Sequence, residues 1–111
     1  MTRHDDATRM HHMLDHAREA VEMAAGRQRE HLNQDRMLEM ALVRLVEIVA
    51  EAATRVGEQA QQRYAAIPWL QVRGLRNRLV HGYDVVDLDI LWDIIQGDFP
   101  PLIAELERIL R

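Results

Sequence analysis

Apolar residues recur every three or four positions along most of the chain, the spacing that places them on one face of an α-helix. A first stripe ends shortly before Gly26, which is expected to be the left-handed residue after a helix, and a second ends at Gly57. We therefore predict a first helix, a polar link and a long central helix. The first stripe is Met10, Met13, Leu14, Ala17, Val21 and Ala24, and the second is Leu38, Leu42, Leu45, Val49, Ala53 and Val56.

The next predicted elements are a short polar helix over residues 58–64 and a helix that begins around Pro68. Proline is favoured in the first helical turn because its missing N–H would have no helical partner there. This second helix should stop at Gly82, directly after His81. Its apolar positions are Leu70, Leu75, Leu79 and Val80.

The C-terminal part of the chain is predicted to form one more helix, with Asp87 as its N-cap. Gly97 and the pair Pro100-Pro101 interrupt the pattern, but the apolar rhythm continues beyond them, so we expect a kink or brief break between two collinear helices. Residues 1–111 are thus expected to form a single all-α domain, an up-and-down four-helix bundle with a broken last helix. The apolar positions of this helix are Leu88, Leu91, Trp92, Ile95, Phe99, Leu102, Leu106 and Ile109.

Composition supports the helical prediction and limits the possible chemistry. Ala, Leu, Met, Arg, Glu and Gln, all good helix formers, account for 62 of the 111 residues. The sequence contains no Cys, Ser or Lys, which excludes disulfides, thiolate metal sites, Cys or Ser nucleophiles, Schiff-base lysines and Walker-type phosphate loops. The start of the chain is polar and no apolar window is long enough to span a bilayer, so we expect a cytoplasmic protein without a membrane segment.

The charge distribution divides the second half of the chain into a basic and an acidic segment. The formal net charge is −4, which argues against a general nucleic-acid coat. Residues 59–83 nevertheless contain four arginines and no acid, whereas residues 84–107 contain seven acids and no base. Two compatible interpretations remain open: the segments pair across neighbouring helices, or the arginines form an anion site. These arginines are Arg63, Arg73, Arg76 and Arg78.

Histidines supply two groups of candidate functional residues. In the first helix, His12 and His16 lie one turn apart and could offer two metal ligands from one helix face. The spacing fixes no third ligand, so we interpret this face as solvated and expect no metal site.

The second group comprises Arg76 and His81, with Asn77 between them. On an ideal helix, residues five apart point about 140° from each other and are about 7.5 Å apart along the axis, so these side chains converge only with help. One source of help is Gly82, which would free His81 at the helix end, and another is a symmetric dimer that supplies both residues from two chains. Asn77 lies four residues before His81, where it could bond one ring nitrogen.

An arginine and a histidine without a metal, a carboxylate pair or a Ser or Cys nucleophile suit the cleavage of a phosphodiester that carries its own nucleophile. In RNA this nucleophile is the 2′-OH. A neutral imidazole takes its proton, an imidazolium protonates the leaving 5′-oxygen, and a guanidinium stabilises the charge on the phosphoryl oxygens. Ordinary solvated surface is the competing interpretation of these residues.

The segment from Val46 to Leu110 resembles the HEPN-domain toxins of the HepT type, small all-helical bacterial proteins encoded beside an MNT-type minimal nucleotidyltransferase. The resemblance extends back through the first helix. Its most specific feature is the R-x4-H-x-Y pattern, present as Arg76, His81 and Tyr83. Supporting features are Asn77, the Ile67-Pro68-Trp69 block and Trp92.

The resemblance implies a metal-independent endoribonuclease toxin that needs no cofactor and acts as a homodimer on RNA, with Arg76 and His81 as catalytic residues at the dimer cleft. It further implies that the nucleotidyltransferase partner neutralises the toxin by transferring AMP from ATP to Tyr83. We expect Arg73 and Arg78 to support RNA binding. The alternative hypothesis is a non-catalytic helical binding subunit of a nucleotidyltransferase.

Glu51 matches an acidic position of the HepT-type toxins. The residue before it is Ala50, where the family often has glycine, and this change alters how closely two helices approach. We expect Glu51 to pair with an arginine of the basic segment, as structural support or as a site residue. Trp69 and Trp92 are expected to be core residues rather than platforms for RNA bases.

Overall fold

The structure is a computed structural model that describes residues 4–82 and 85–111, most of which are helical. The all-α prediction is confirmed. Within the described part of the chain, no helix is long and apolar enough to cross a membrane. A π-helical turn, Ile94–Asp98, joins the last two α-helices, and β1 (Val80–His81) pairs with β2 (Val85–Val86) in a short antiparallel hairpin. The α-helices are α1 (His4–Ala24), α2 (His31–Gln34), α3 (Arg36–Thr54), α4 (Glu58–Arg63), α5 (Trp69–Arg73), α6 (Leu75–Leu79), α7 (Leu88–Asp93) and α8 (Phe99–Ile109).

Helices α1 and α3 form the centre of the molecule. The two predicted apolar stripes meet here, and Met10 and Met13 of α1 and Leu42 and Val49 of α3 are fully buried. Alanines on both helices, among them Ala17, are also buried, which lets the two backbones approach closely. Helix α8 packs against α1 on the other side of this core. It contributes Phe99, Leu102 and Leu106.

The turns that end the first two long helices differ from each other. Gly26 has a φ of +76°, which confirms the predicted left-handed residue after α1. The central helix ends at Thr54, and Gly57 has an extended backbone and is the N-cap of α4. The N–H of Gly57 donates to Oδ1 of the buried Asp6 over 2.8 Å. This bond ties the start of α1 to the link between α3 and α4.

The helix predicted between Pro68 and Gly82 begins as expected, but the prediction for its second half is wrong. It divides at Gly74 into α5 and α6 and ends at Leu79, so His81 lies in a β-strand rather than in a last helical turn. The prediction failed because periodicity in a short helix carries little information about where the helix ends.

Pairing between valines explains the early end of α6. Val80 lies opposite Val86, and both are partly buried against the core. β-branched residues favour an extended backbone, and here they gain apolar contacts by adopting it. Gly82 has a φ of +60°, a left-handed conformation that glycine adopts without a steric penalty, directly after β1.

The last helix is interrupted as predicted, but by a widened turn rather than a break. The N–H of Phe99 donates to the carbonyl of Ile94, five residues earlier, which is the π-helical pattern. Pro100 and Pro101 follow in the first turn of α8. Backbone N–H groups in a first turn have no helical partner, so proline, which has no N–H, is tolerated there. The chain therefore stays helical from Leu88 to Ile109.

Candidate functional site

The hairpin between α6 and α7 determines which way His81 faces. Side chains alternate between the two faces of a strand, so burial of Val80 and Val86 turns His81 and its partner Val85 outward. The side chain of His81 is 59% exposed, which leaves the imidazole open to a substrate. Asp87 lies two residues beyond Val85, and side chains at such diagonal positions lie on one face within reach of each other.

Asp87 contacts His81 and caps α7 with the same carboxylate. Its Oδ1 accepts the N–H of Ile90 over 3.0 Å, which confirms the predicted N-cap, and its Oδ2 lies 3.2 Å from Nε2 of His81. The backbone N–H of Asp87 also donates to the carbonyl of Leu79, which fixes Asp87 beside the end of α6. The Ile90 N–H, and after it the His81 ring, hold the pKa of the Asp87 carboxyl below its ordinary value of 3.8.

Arg76 contacts the central helix rather than the carboxylate that contacts His81. Leu75 and Leu79 anchor α6 in the core, which leaves Arg76 exposed on the outer face. Nε of Arg76 lies 3.1 Å from Oε2 of Glu47 in α3. Within one chain, Arg76 and His81 thus contact different carboxylates, and no contact joins them among the described residues.

Arg76 lines a cleft of about 360 Å³ between α3 and the α5–α6 pair, which we call the Arg76 cleft. Four of the predicted site residues meet in it, although His81 and Arg78 are not part of its lining. Both carboxylates in the cleft, Glu47 and Glu51, come from α3. The lining residues are Arg44, Glu47, Ala50, Glu51, Thr54, Arg73, Arg76 and Asn77.

The predicted pairing of Glu51 with the basic segment is wrong. Glu51 pairs with Arg55 of its own helix over 3.0 Å, and Glu47, one turn earlier, takes the contact with Arg76. The expected bond from Asn77 to His81 is not formed either: the partner of the ring is Asp87. It cannot form as expected because α6 ends at Leu79, which removes the helical i,i+4 relationship.

The remaining predicted residues have separate surroundings. Arg78 pairs with Asp98 of the π-helical turn over 2.5 Å, so the basic and acidic segments do pair at this point. Nε of Arg73 lies 3.4 Å from the carbonyl of Trp69, and Trp69 itself is buried as expected. Tyr83, the predicted modification target, lies outside the described residues.

The first histidine group forms a solvated face of α1. Nδ1 of His16 lies 2.7 Å from the backbone carbonyl of His12, and the two rings meet edge to face. Within residues 4–82 and 85–111, no cluster of three or more His, Cys, Asp or Glu side chains is arranged to hold a metal ion.

Sequence reasoning missed three residues around this site. Asp87 was identified only as a helix cap, because its contact with His81 depends on a hairpin that periodicity did not reveal. Glu47 and Arg44 lie on the exposed face of α3, far from the basic segment in sequence. A usable signal did exist: Val80 and the Val85-Val86 pair flank a glycine, as in a hairpin.

Comparison with known proteins gives a family match over most of the chain. A family model described as "Ribonuclease HepT-like" matches residues 13–109. A Methanocaldococcus jannaschii protein named "Putative RNase" is 27% identical over 109 residues, 98% of this chain and 100% of the relative. A "Putative RNase" of Caldanaerobacter subterraneus subsp. tengcongensis is 28% identical, with 92% and 91% covered. A "Probable ribonuclease HepT" of Thermococcus cleftensis is 29% identical over 68% of each chain. No solved structure matches the chain.

Proposed function

Since the chain belongs to the HepT-like ribonuclease family, we propose that it is a metal-independent endoribonuclease and the toxin of a toxin-antitoxin pair in the cytoplasm. Its active site lies in the groove of a homodimer, where each protomer supplies Arg76 and His81. The observation that carries this proposal is the exposed His81 imidazole, which lies on an outward-facing hairpin with one ring nitrogen against an ionised carboxylate.

The proposed reaction is transesterification by the 2′-OH of RNA. Nε2–H of His81 donates to Asp87, so Nδ1 carries the lone pair and takes the 2′-OH proton. The O2′ attacks the phosphorus and the P–O5′ bond breaks. The imidazolium of the partner's His81 gives its proton to the leaving O5′, and the Arg76 guanidinium binds the phosphoryl oxygens as their charge increases. The products are a 2′,3′-cyclic phosphate and a 5′-hydroxyl.

A dimer supplies what one chain lacks. In a single chain Arg76 contacts Glu47 of α3 while His81 contacts Asp87, the N-cap of α7, so the two groups are held by different carboxylates. The reaction also needs a base and an acid at the same time, and two copies of His81 provide one of each. Asp87 acts as a positioning residue that sets the ring tautomer.

The antitoxin in this proposal is an MNT-type nucleotidyltransferase that transfers AMP from ATP to Tyr83. In this transfer the Tyr83 hydroxyl attacks the α-phosphate and pyrophosphate leaves. Because Tyr83 follows His81 by two residues, each added AMP brings a bulky anion next to the active site. It blocks access and repels RNA phosphates.

The direct test is incubation of the purified protein with total RNA in EDTA. We expect fragments that end in 2′,3′-cyclic phosphate, and we expect His81→Ala to remove them while circular dichroism and the dimer mass stay unchanged. Intact RNA with the wild-type protein would instead support the binding-subunit alternative. Fragments that persist in His81→Ala would remove His81 from the mechanism.

A further inference from the structure

The exposed face of α3 carries three adjoining clefts rather than one. The Arg76 cleft shares Arg44 and Glu47 with a cleft of about 390 Å³ that reaches Val86 of the hairpin. On its other side it shares Arg44 and Glu51 with a cleft of about 330 Å³ that reaches Arg9 and His12 of α1. We call the continuous surface formed by these three clefts the α3 groove.

The α3 groove is basic on a chain that is acidic overall. Six arginines and three glutamates line it, in a chain of formal net charge −4. Glu47 serves both Arg44 and Arg76, at 3.9 and 3.1 Å, so one carboxylate is shared between two guanidinium groups. In the described part of the chain, Arg9, Arg36 and Arg73 have no carboxylate within ion-pair distance. The groove therefore retains positive charge along its length.

Arg44 has a central place in this surface because it lines all three clefts. Its side chain is 65% exposed, and its contact with Glu47 is long for an ion pair, at 3.9 Å, so a phosphate can replace that contact at little cost. The groove follows α3 from Arg36 to Arg55, which is roughly 28 Å at 1.5 Å per residue. That length matches about eight stacked nucleotides at 3.4 Å each.

We propose that the α3 groove is a binding track for single-stranded RNA, in which Arg44 and Arg9 bind phosphates beyond the one that is cut. The occupant is a polynucleotide rather than a small anion because the guanidinium groups are spread along the groove instead of converging on one point. Arg76 lies in the middle cleft of the three, where the scissile phosphate binds in the proposed reaction, so a strand held there continues into the adjoining clefts. This inference rests on the proposed function for the identity of its ligand.

The test measures binding of a fluorescein-labelled 2′-O-methyl RNA of twelve nucleotides, which has no 2′-OH and cannot be cut by the proposed reaction. Anisotropy titrations at several KCl concentrations compare the wild type with Arg9→Gln, Arg44→Gln and the control Arg111→Gln, which removes an exposed arginine outside the groove. We expect each groove variant to raise Kd about tenfold and to reduce the slope of log K against log salt by about 0.7. The control should stay within twofold of the wild type.

The proposal is overturned if the wild type does not bind the twelve-nucleotide RNA, if the groove variants match the control, or if weaker binding comes with a change in dimer mass, which would make the groove a protein interface. If binding depends on Arg9 and Arg44 but ordinary RNA is not cleaved, only the nuclease proposal is contradicted. If RNA is cleaved equally well without either arginine, only the proposed RNA track is contradicted.

Discussion

Two aspartates cap two helices in nearly the same way, yet their second partners differ. Asp35 begins α3 and accepts the N–H of Leu38 over 3.0 Å, and Asp87 begins α7 and accepts the N–H of Ile90 over the same distance. In both, this backbone bond is the main reason that the carboxyl pKa lies below its ordinary value. The second oxygen of Asp35 faces Arg27, whereas that of Asp87 faces His81.

Under the proposed function, this difference separates a structural cap from a cap that positions a catalytic imidazole. The guanidinium of Arg27 is charged at every physiological pH and can neither take nor give a proton in a reaction. The imidazole of His81 can do both, and it is exposed where a substrate could reach it. Local capping geometry is therefore the same in the two regions, and the regions differ in the residue that shares the carboxylate.

The largest effect is expected when the second region is converted into a copy of the first. His81→Arg places a permanent cation beside Asp87 and removes the group that exchanges protons. We expect RNA cleavage to fall by at least about 10³-fold, with an unchanged melting temperature. Single-turnover cleavage assays and thermal melts check this, and retained cleavage would show that the cation alone, rather than proton transfer, is required.

The next effect is expected from Asp87→Asn, because Asn keeps the cap but reverses the polarity of the contact with His81. Its amide N–H₂ requires Nε2 to accept, which places the ring proton on Nδ1 and blocks the proposed base. We expect kcat to fall about 10²-fold, less than the roughly 10⁴-fold known for a buried Asp–His pair, because this pair is solvated. KM should change little, because Asp87 does not itself contact the substrate in the proposed reaction.

Asp35→Asn is the matched control for this prediction. It makes the same chemical change at a cap that touches no histidine, and Asn caps helices about as well as Asp. Its kcat and pH–rate profile should equal those of the wild type. An equal loss in both variants would mean that the capped helices, and not the His81 contact, support activity.

A smaller effect on stability is expected to be common to the two regions. Asp35→Ala and Asp87→Ala each remove the acceptor for one backbone N–H at a helix start. Each should lower the melting temperature by a few degrees, whereas the Asn variants should not. Differential scanning calorimetry can detect the change, and an Ala variant that melts like the wild type would show that the cap at that helix does not contribute to stability.

The smallest effect concerns acid stability. A carboxyl whose pKa is depressed in the folded protein stabilises it above the ordinary value of 3.8 and loses that contribution as the pH falls below it. The melting temperature should therefore fall below about pH 4, and it should fall less in Asp35→Asn and in Asp87→Asn. Thermal melts between pH 2 and pH 7 measure this, and an undiminished acid dependence in both variants would contradict the origin assigned to it.

The sequence was sufficient for features that depend on neighbouring residues. The two long helices follow from regular apolar spacing, the end of α1 from Gly26, and the cap of α7 from Asp87, because each signal lies within one or two turns of its effect. The interruption of the last helix was also predictable from Pro100 and Pro101. The form of the interruption was not predictable, because a π-helical turn and a break both accommodate two prolines that lack a backbone N–H.

The parts of the site that sequence reasoning missed depend on distant contacts. Glu47 and Glu51 lie on one face of α3, a turn apart, so which of them contacts Arg76 depends on where α6 lies along the axis of α3. The apolar pattern does not specify this position. His81 contacts Asp87 only because the backbone at Val80 is extended rather than helical, which places His81 in the hairpin. Such choices between local alternatives are decided by packing in the tertiary structure.

The most direct test of the proposed mechanism uses an oligonucleotide that contains a single ribonucleotide in an otherwise 2′-deoxy strand, incubated with the purified protein in EDTA. The proposed mechanism predicts one cut, on the 3′ side of that ribonucleotide, a 2′,3′-cyclic phosphate on the upstream fragment, and no cut by His81→Arg. Cleavage at deoxynucleotides, or cleavage of the same strand with the single 2′-OH methylated, would contradict it.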